Sequence, residues 1–328
     1  MRVAFLTETH YQGKWPKDFS NTRTEIAWQI TLDADHFNIH SFEMVKGYDA
    51  VFIIFPKATV KLNTVGVEMA TPGADKDISI YSKPVVETLK KHNKKVCNVQ
   101  EGPAWFFNEY DLPTQFNFYN NLSECDVLFA HNEYDTHFYK GLFPQTKVDV
   151  IPSLMLDTKL PPAPEEKSII GGNFARWYGG FQSYVVATEF QVPIFVPASH
   201  CKRNGEEQVP GLQHLPWVMW NEWMQQLATF KYAVNLMPTI AAGTFSMNCA
   251  YFGIPCIGNE KVDTQLRLFP ELSVDVNDIH MARYLAKELR MNREFYDRVA
   301  SHARRTLQHS VHFDTTRWLE HIKDVLDE

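Results

Sequence analysis

Two glycine-bearing segments and two titratable side chains mark where this chain could do chemistry. The first segment runs Gly171-Gly172-Asn173-Phe174-Ala175-Arg176-Trp177-Tyr178-Gly179-Gly180, between an apolar run and a helical pattern. Glycines let backbone approach a ligand closely, and free N–H groups at a helix start attract phosphate. Arg176 adds a permanent, forked charge suited to a diphosphate. Gly172, Asn173 and Arg176 are therefore phosphate-binding candidates. The competing reading is a glycine-rich turn whose arginine pairs with a carboxylate. In the second segment, Gly243, Thr244, Phe245 and Ser246 open another predicted helix and offer a second anion site. Its competing reading is ordinary helix capping by Thr244 or Ser246.

The titratable candidates lie in the other half of the chain. Glu101 follows the apolar run Lys95–Val99, beside a Gly-Pro turn and the aromatics Trp105-Phe106-Phe107. Apolar neighbours raise a carboxylate pKa toward the range useful for taking a proton from a hydroxyl. His10 is the rival base, in a long loop from Glu8 to Asn21 that also holds Lys14, Trp15 and Lys17. That length suits a segment that closes over a substrate. The competing readings are a surface glutamate and a solvated histidine. Asp33-Ala34-Asp35 has the spelling of a metal-binding DxD, but it sits between a helix end and a strand start and reads as a solvated turn. No other metal-ligand spacing occurs, so metal-independent chemistry with no required cofactor is expected.

The elements that must position these residues alternate strand and helix. In the N-terminal half, buried strands are predicted at Val3–Leu6, Phe37–Phe42, Ala50–Phe55, Lys95–Val99 and Asp126–Ala130. Helices are predicted at Thr22–Leu32, capped by Asn21 or Thr22, and at Ser82–His92, Leu112–Leu122 and Glu133–Leu142. Ile151 to Lys167 carries four prolines and reads as a linker. The pattern then restarts at Ser168–Ile170 and ends in three helices, the last from Thr315. Such alternation implies parallel sheets covered on both faces. The expected organisation is a Rossmann-like domain over 1–150, a linker over 151–167, a second Rossmann-like domain over 168–310, and a C-terminal helix over 311–328. Ligands of such sheets bind at the C-terminal strand edges, here at a shared cleft.

The helix ending in Gly253-Ile254-Pro255 before an apolar strand, followed by Gln265-Leu266-Arg267-Leu268-Phe269-Pro270, resembles the nucleotide-sugar half of GT-B glycosyltransferases. The resemblance implies an α/β GT-B fold, two Rossmann-like domains facing across a cleft: an acceptor domain over 1–150, a nucleotide-sugar-binding domain over 168–310 that takes a UDP-linked donor substrate, and a C-terminal helix over 311–328 that packs back toward the first domain. It places Asn248 where that family commonly has a ribose-binding carboxylate, and Val218 and Met219 where backbone groups read the nucleobase. Thr239–Ala242 holds no acid where the family has a second carboxylate. The spacing is also loosely similar to phage DNA β-glucosyltransferases, which place arginine after a Gly-Gly-x-Phe segment and their catalytic acid after the fourth strand. This implies Glu101 as base and hydroxymethylated pyrimidine in DNA as acceptor, the DNA modification of a bacteriophage. A saccharide or protein acceptor for the hexosyl or pentosyl unit, a nucleotide-sugar epimerase, and a non-catalytic nucleotide-sugar binding module are the alternatives.

Composition narrows the classes. The 328 residues carry a net charge of −7, against a protein that binds nucleic acid through a broad basic field. Lys90, Lys91, Lys94 and Lys95 form the densest basic cluster, read as a solvated helix end or a local patch. Five cysteines (97, 125, 201, 249 and 256) without a CxxC pair point to a reducing compartment. No run approaches the roughly 20 apolar residues of a membrane span. The expectation is a cytoplasmic protein, in the host cytoplasm if phage-encoded, without a membrane partner.

Overall fold

The computed structural model describes residues 1–327 except 23, 56–83, 101, 106–111, 159–163, 176 and 199–204. The chain builds two six-stranded sheets, parallel throughout. In the N-terminal half the elements are β1 (Val3–Thr7), α1 (Thr24–Thr31), β2 (Asp35–Asn38), β3 (Ala50–Ile53), α2 (Val85–Lys90), β4 (Lys95–Val99), α3 (Leu112–Ser123), β5 (Val127–Ala130), α4 (Glu133–Leu142) and β6 (Lys147–Val150). Its sheet order is β2-β1-β3-β4-β5-β6. The C-terminal half contains β7 (Glu165–Ile170), α5 (Gly180–Ala187), β8 (Ile194–Val196), β9 (Leu212–His214), α6 (Trp220–Ala228), β10 (Phe230–Asn235), α7 (Thr244–Phe252), β11 (Cys256–Asn259), α8 (Asp263–Leu268) and β12 (Ser273–Val274). Helices α9 (Ile279–Met291), α10 (Arg293–Gln308) and α11 (Thr315–Asp327) follow. The second sheet is ordered β9-β8-β7-β10-β11-β12, with its topological switch point between β7 and β10.

The central strands are apolar on both faces because helices cover both. Alternate residues of one strand enter different cores. Ala4 and Leu6 of β1 pack with Val51, Ile53, Leu128 and Phe118. Val3 and Phe5 pack with Phe52, Phe129, Trp28 and Trp318 on the opposite face. The rings of Phe5, Phe52 and Phe129 form a stacked ladder at 4.8 and 5.8 Å. Strand β10 centres the second core, where Tyr232 stacks on Phe190 at 4.2 Å. The tail helix α11 packs on the N-terminal sheet through Trp318 and Ile322. The indole N–H groups of Trp318 and Trp28 both donate to Pro152 O, at 2.8 and 3.1 Å.

Several boundaries differ from the sequence expectation. The strand expected over 37–42 stops at Asn38, whose side chain accepts the His40 N–H at 3.0 Å and starts a 3-10 helix over Ile39–Met44. Strands β6 and β9 were not anticipated. Both lie at sheet edges and are half-exposed, so neither has an unbroken apolar run. Strand β7 begins at Glu165, inside the stretch read as linker, because Glu165 pairs with Phe230 at the register shift of β10. The side chain of Asn21, expected as a cap for α1, bonds across the molecule, as described below. Cys97, Cys125, Cys249 and Cys256 are buried and free, while Cys201 lies outside the described residues. Burial pushes the Cys97 thiol well up, so it stays protonated. No described helix is long and apolar enough to cross a membrane.

Candidate functional site

The segment after β7 folds tightly onto the end of β10. Gly171 N–H donates to Val234 O at 2.8 Å. Gly179 has φ +64°, and a Cβ there would lie 2.0 Å from Leu236 O, so only glycine fits. Asn173 is buried and turns inward, its Oδ1 accepting the Ala175 N–H at 3.1 Å. The Phe174 N–H donates to Glu206 at 3.3 Å, and the other Glu206 oxygen lies 3.0 Å from His214 Nε2. Several loop amides are thus engaged within the protein. Gly172 is buried beside Tyr178. Arg176 lies outside the described residues.

Helix α7 presents a different N-terminus. Gly243 is its N-cap residue, with φ +66° and no side-chain cap. The first intrahelical bond is Met247 N–H to Gly243 O, so the amides of Thr244, Phe245 and Ser246 have no intrahelical acceptor. The capping alternative does not describe this helix. Ser246 Oγ instead donates to Gln265 Oε1 at 2.6 Å, and Gln265 Nε2 donates to Cys256 O at 2.8 Å. Thr264 Oγ1 donates to Gly243 O at 3.1 Å and fixes the turn. Phe245 is half-buried against the C-terminal core.

This N-terminus opens into a cavity of about 320 Å³ between the two halves. Thr244, Met247 and Asn248 line it from α7. Trp217, Trp220 and Trp223 form an aromatic wall, with Val218, Pro197 and Pro216 beside them. Thr22 and Thr24 enter from the N-terminal half, and Leu154 and Met155 from the segment between β6 and β7. Asn248 is 8% exposed and reaches the cavity, whereas Met219 is 42% exposed and is not part of its wall. The combination of uncapped amides, an aromatic wall and small polar groups suits a ligand with an anionic end and a flat end.

His10, the one proposed base among the described residues, stands apart from this cavity. His10 is exposed in the loop after β1, with Asn38 Nδ2 at 3.5 Å from its Nδ1, and it lines neither interdomain cavity. Glu101 lies outside the described residues. Sequence reasoning missed two groups at the same sheet edge. His131 directly follows β5, stacks near Trp28 at 5.7 Å, and lines a second interdomain cavity of about 390 Å³ with Ala241, Ala242, Asp263 and Arg267. Asp135, 3% exposed, accepts the Ala104 N–H at 3.4 Å and the Asn132 Nδ2 at 3.1 Å. Burial raises its pKa to about 6, with the hydrogen bonds from Ala104 and Asn132 opposing. The available signal was a titratable residue immediately after a buried strand, as in Ala130-His131.

Asp33 and Asp35 go to separate partners: Lys14 Nζ lies 2.5 Å from Asp33, and Tyr48 OH donates to Asp35 at 2.9 Å. Three lysines of the basic cluster are ion-paired, Lys90 with Asp126, Lys91 with Glu87 and Lys94 with Asp49.

No family model matches the chain, and no curated protein matches it. Among solved structures it is similar to an α-glucosyltransferase in complex with UDP and a 13-mer DNA containing an HMU base, with TM-score 0.68, 14% identity and all of both chains covered. It is similar to HepE of Anabaena in complex with UDP and glucose, with TM-score 0.66, 10% identity, 100% of this chain and 99% of that one. Sucrose-phosphate synthase from Thermosynechococcus elongatus gives TM-score 0.63 at 12% identity over 98% of each chain. The DNA-bound relative is an α-glucosyltransferase, where the sequence resemblance was to β-glucosyltransferases. With two parallel six-stranded sheets meeting at an interdomain cavity, the chain has the GT-B fold.

Proposed function

We propose that this chain is a glycosyltransferase that moves a hexosyl unit from a UDP-sugar to a hydroxyl acceptor. The observation that carries the reading is the uncapped N-terminus of α7 opening into the interdomain cavity. The UDP-bound structures of the same fold support the choice of donor. In this reading the amides of Thr244, Phe245 and Ser246 and the Arg176 guanidinium hold the diphosphate. Asn248 bonds the ribose, and Val218 and Met219 offer backbone groups to the base. A base from the N-terminal half, Glu101 first and His10 second, takes the proton of the acceptor hydroxyl. The hydroxyl oxygen bonds the anomeric carbon as its bond to the diphosphate breaks, and UDP leaves with the electron pair. Amide dipoles and Arg176 stabilise that charge without a metal ion.

A hydroxymethylated pyrimidine in DNA is a second reading for the acceptor, favoured by the DNA-bound relative. The paired state of Lys90, Lys91 and Lys94 and the net charge of −7 weigh toward a saccharide or protein hydroxyl. The test is a panel of nucleotide-sugars, with and without hydroxymethylated DNA, read by free nucleoside diphosphate. Release that requires the DNA selects that acceptor. Slow release from one donor regardless of DNA keeps the transferase and turns the search to other hydroxyls. No release from any donor favours the epimerase or the binding module. Arg176→Ala is expected to weaken donor binding, and Glu101→Gln to lower turnover while donor binding holds.

A further inference from the structure

We propose that Asn21 is a positioning residue for the donor nucleotide: from the N-terminal half it caps helix α6 and so fixes the tryptophan wall of the donor cavity. The inference rests on the donor reading above. Helix α6 has no cap of its own, since Met219 precedes it and provides no side-chain bond. Asn21 Oδ1 accepts the Trp220 N–H at 3.2 Å, and Ser20 O accepts the Asn221 N–H at 3.1 Å. Two amides of the first helical turn are therefore satisfied by the opposite half of the molecule. Trp220 and Trp223 of this helix line the cavity, as do Trp217 and Val218 just before it and Thr22 just after Asn21.

The segment that carries Asn21 is itself held rigidly. Tyr11 stacks on Trp15 at 4.0 Å, and Trp15 meets Phe19 at 4.6 Å. Trp15 Nε1 donates to Gln29 at 2.8 Å, and Gly13 exchanges backbone hydrogen bonds with His36 at 2.9 Å. Asn21 thus moves with the N-terminal body. Separating the halves strips the cap from α6, so nucleotide binding and domain closure draw on the same two hydrogen bonds.

The test compares wild type, Asn21→Ala and Asn21→Asp, which keeps the acceptor oxygen. UDP affinity is measured by calorimetry, turnover at saturating donor, and amide exchange at Trp220 and Asn221 without nucleotide. Loss of a cap corresponds to about a fivefold change in an equilibrium constant. Asn21→Ala is expected to bind UDP about fivefold more weakly, to exchange faster at both amides, and to keep its turnover. Asn21→Asp restores wild-type behaviour. Equal UDP affinity in wild type and Asn21→Ala overturns the proposal and leaves the donor reading standing. So does failure of Asn21→Asp to rescue while its melting temperature is normal. A wild-type protein that binds no UDP overturns both, and is recognised as such from the wild type alone.

Discussion

The carboxylate of Asp263, in the C-terminal half, accepts the backbone N–H of Glu133, in the N-terminal half, at 2.9 Å. Glu133 opens α4, whose Asp135 amide is capped by Asn132 Oδ1 at 2.7 Å. The helix therefore takes one cap from its own chain segment and one from across the cleft. A carboxylate at this end also meets a favourable helix dipole. Together with Asn21 and Trp220, each half of the molecule caps a helix of the other. Asp263→Ala is expected to weaken closure by about 1 kcal/mol. Small-angle scattering without ligand would read a larger radius of gyration, with faster exchange at Glu133. An unchanged radius and exchange rate would count against an interdomain clasp.

Asp135 sets one pH dependence. Its folded pKa is about 6, raised by burial, against roughly 3.9 unfolded. Below about pH 4 both states are protonated and nothing is lost. As pH rises toward 6 the unfolded state ionises first, so folded stability falls by about 3 kcal/mol from this residue. Asp135→Asn cannot ionise, so the stability gap between wild type and variant should change over this window. Urea midpoints for both proteins from pH 4 to 7 check it, and a constant gap would remove Asp135 as the cause.

His36 and His312 act with the opposite sign. Burial lowers the pKa of each. His36 Nδ1–H donates to Tyr11 O at 2.6 Å and its Nε2 accepts from Thr7 Oγ1 at 2.8 Å. His312 Nδ1–H donates to Ser153 O at 2.8 Å. With folded values below the unfolded value near 6.5, the unfolded state takes up protons first as pH falls, so stability declines below about pH 6.5. Replacing either histidine with glutamine is expected to flatten that decline, measured against wild type by urea titration at pH 7 and pH 5. An identical slope in both variants would assign the acid sensitivity elsewhere.

Gly243 and Ser246 should separate binding from stability. A Cβ at Gly243 would lie 1.6 Å from Thr264 Oγ1, at a φ of +66° that L-residues rarely adopt. Gly243→Ala is expected to cost at least about 2 kcal/mol and to shift the α7 amides, weakening UDP binding tenfold or more. Ser246→Ala leaves Gln265 Oε1 buried without its donor and is expected to cost about 1–3 kcal/mol of stability. UDP affinity should stay within twofold, because the backbone amide of residue 246 is retained. Thermal melts and calorimetry on both variants decide the matter; a large affinity loss in Ser246→Ala would give its hydroxyl a direct ligand role.

What could be read from the sequence was what local spacing encodes. Ala50–Ile53 and Val127–Ala130 are unbroken apolar runs because both faces are covered, and they were found. Edge strands β6 and β9 carry polar residues on an open side and were not. The glycine turn at Gly243 was legible because a left-handed turn before a helix has a residue signature. The use of Ser246 was not, because its partner lies 19 residues away across α7 and α8. Asn21 looked like a cap for the next helix, and its actual partner is 199 residues distant. Nothing in local pattern distinguishes the two, since the chemistry of a cap is the same for near and far amides.

The docking of α11 on the N-terminal sheet bears on how the chain reaches this state during synthesis. Trp318, Ile322, Val325 and Leu326 are buried there. Burying four such side chains contributes roughly 6–12 kcal/mol. That is comparable to the whole stability of an ordinary domain, on the order of 5–15 kcal/mol. A nascent N-terminal half on the ribosome therefore exposes the apolar groove around Val3, Phe5 and Trp28 until residues 315–327 emerge. Vectorial folding here is circular: strand β1 is finished by a helix that begins only at Thr315, and chaperone demand should persist until that helix has emerged.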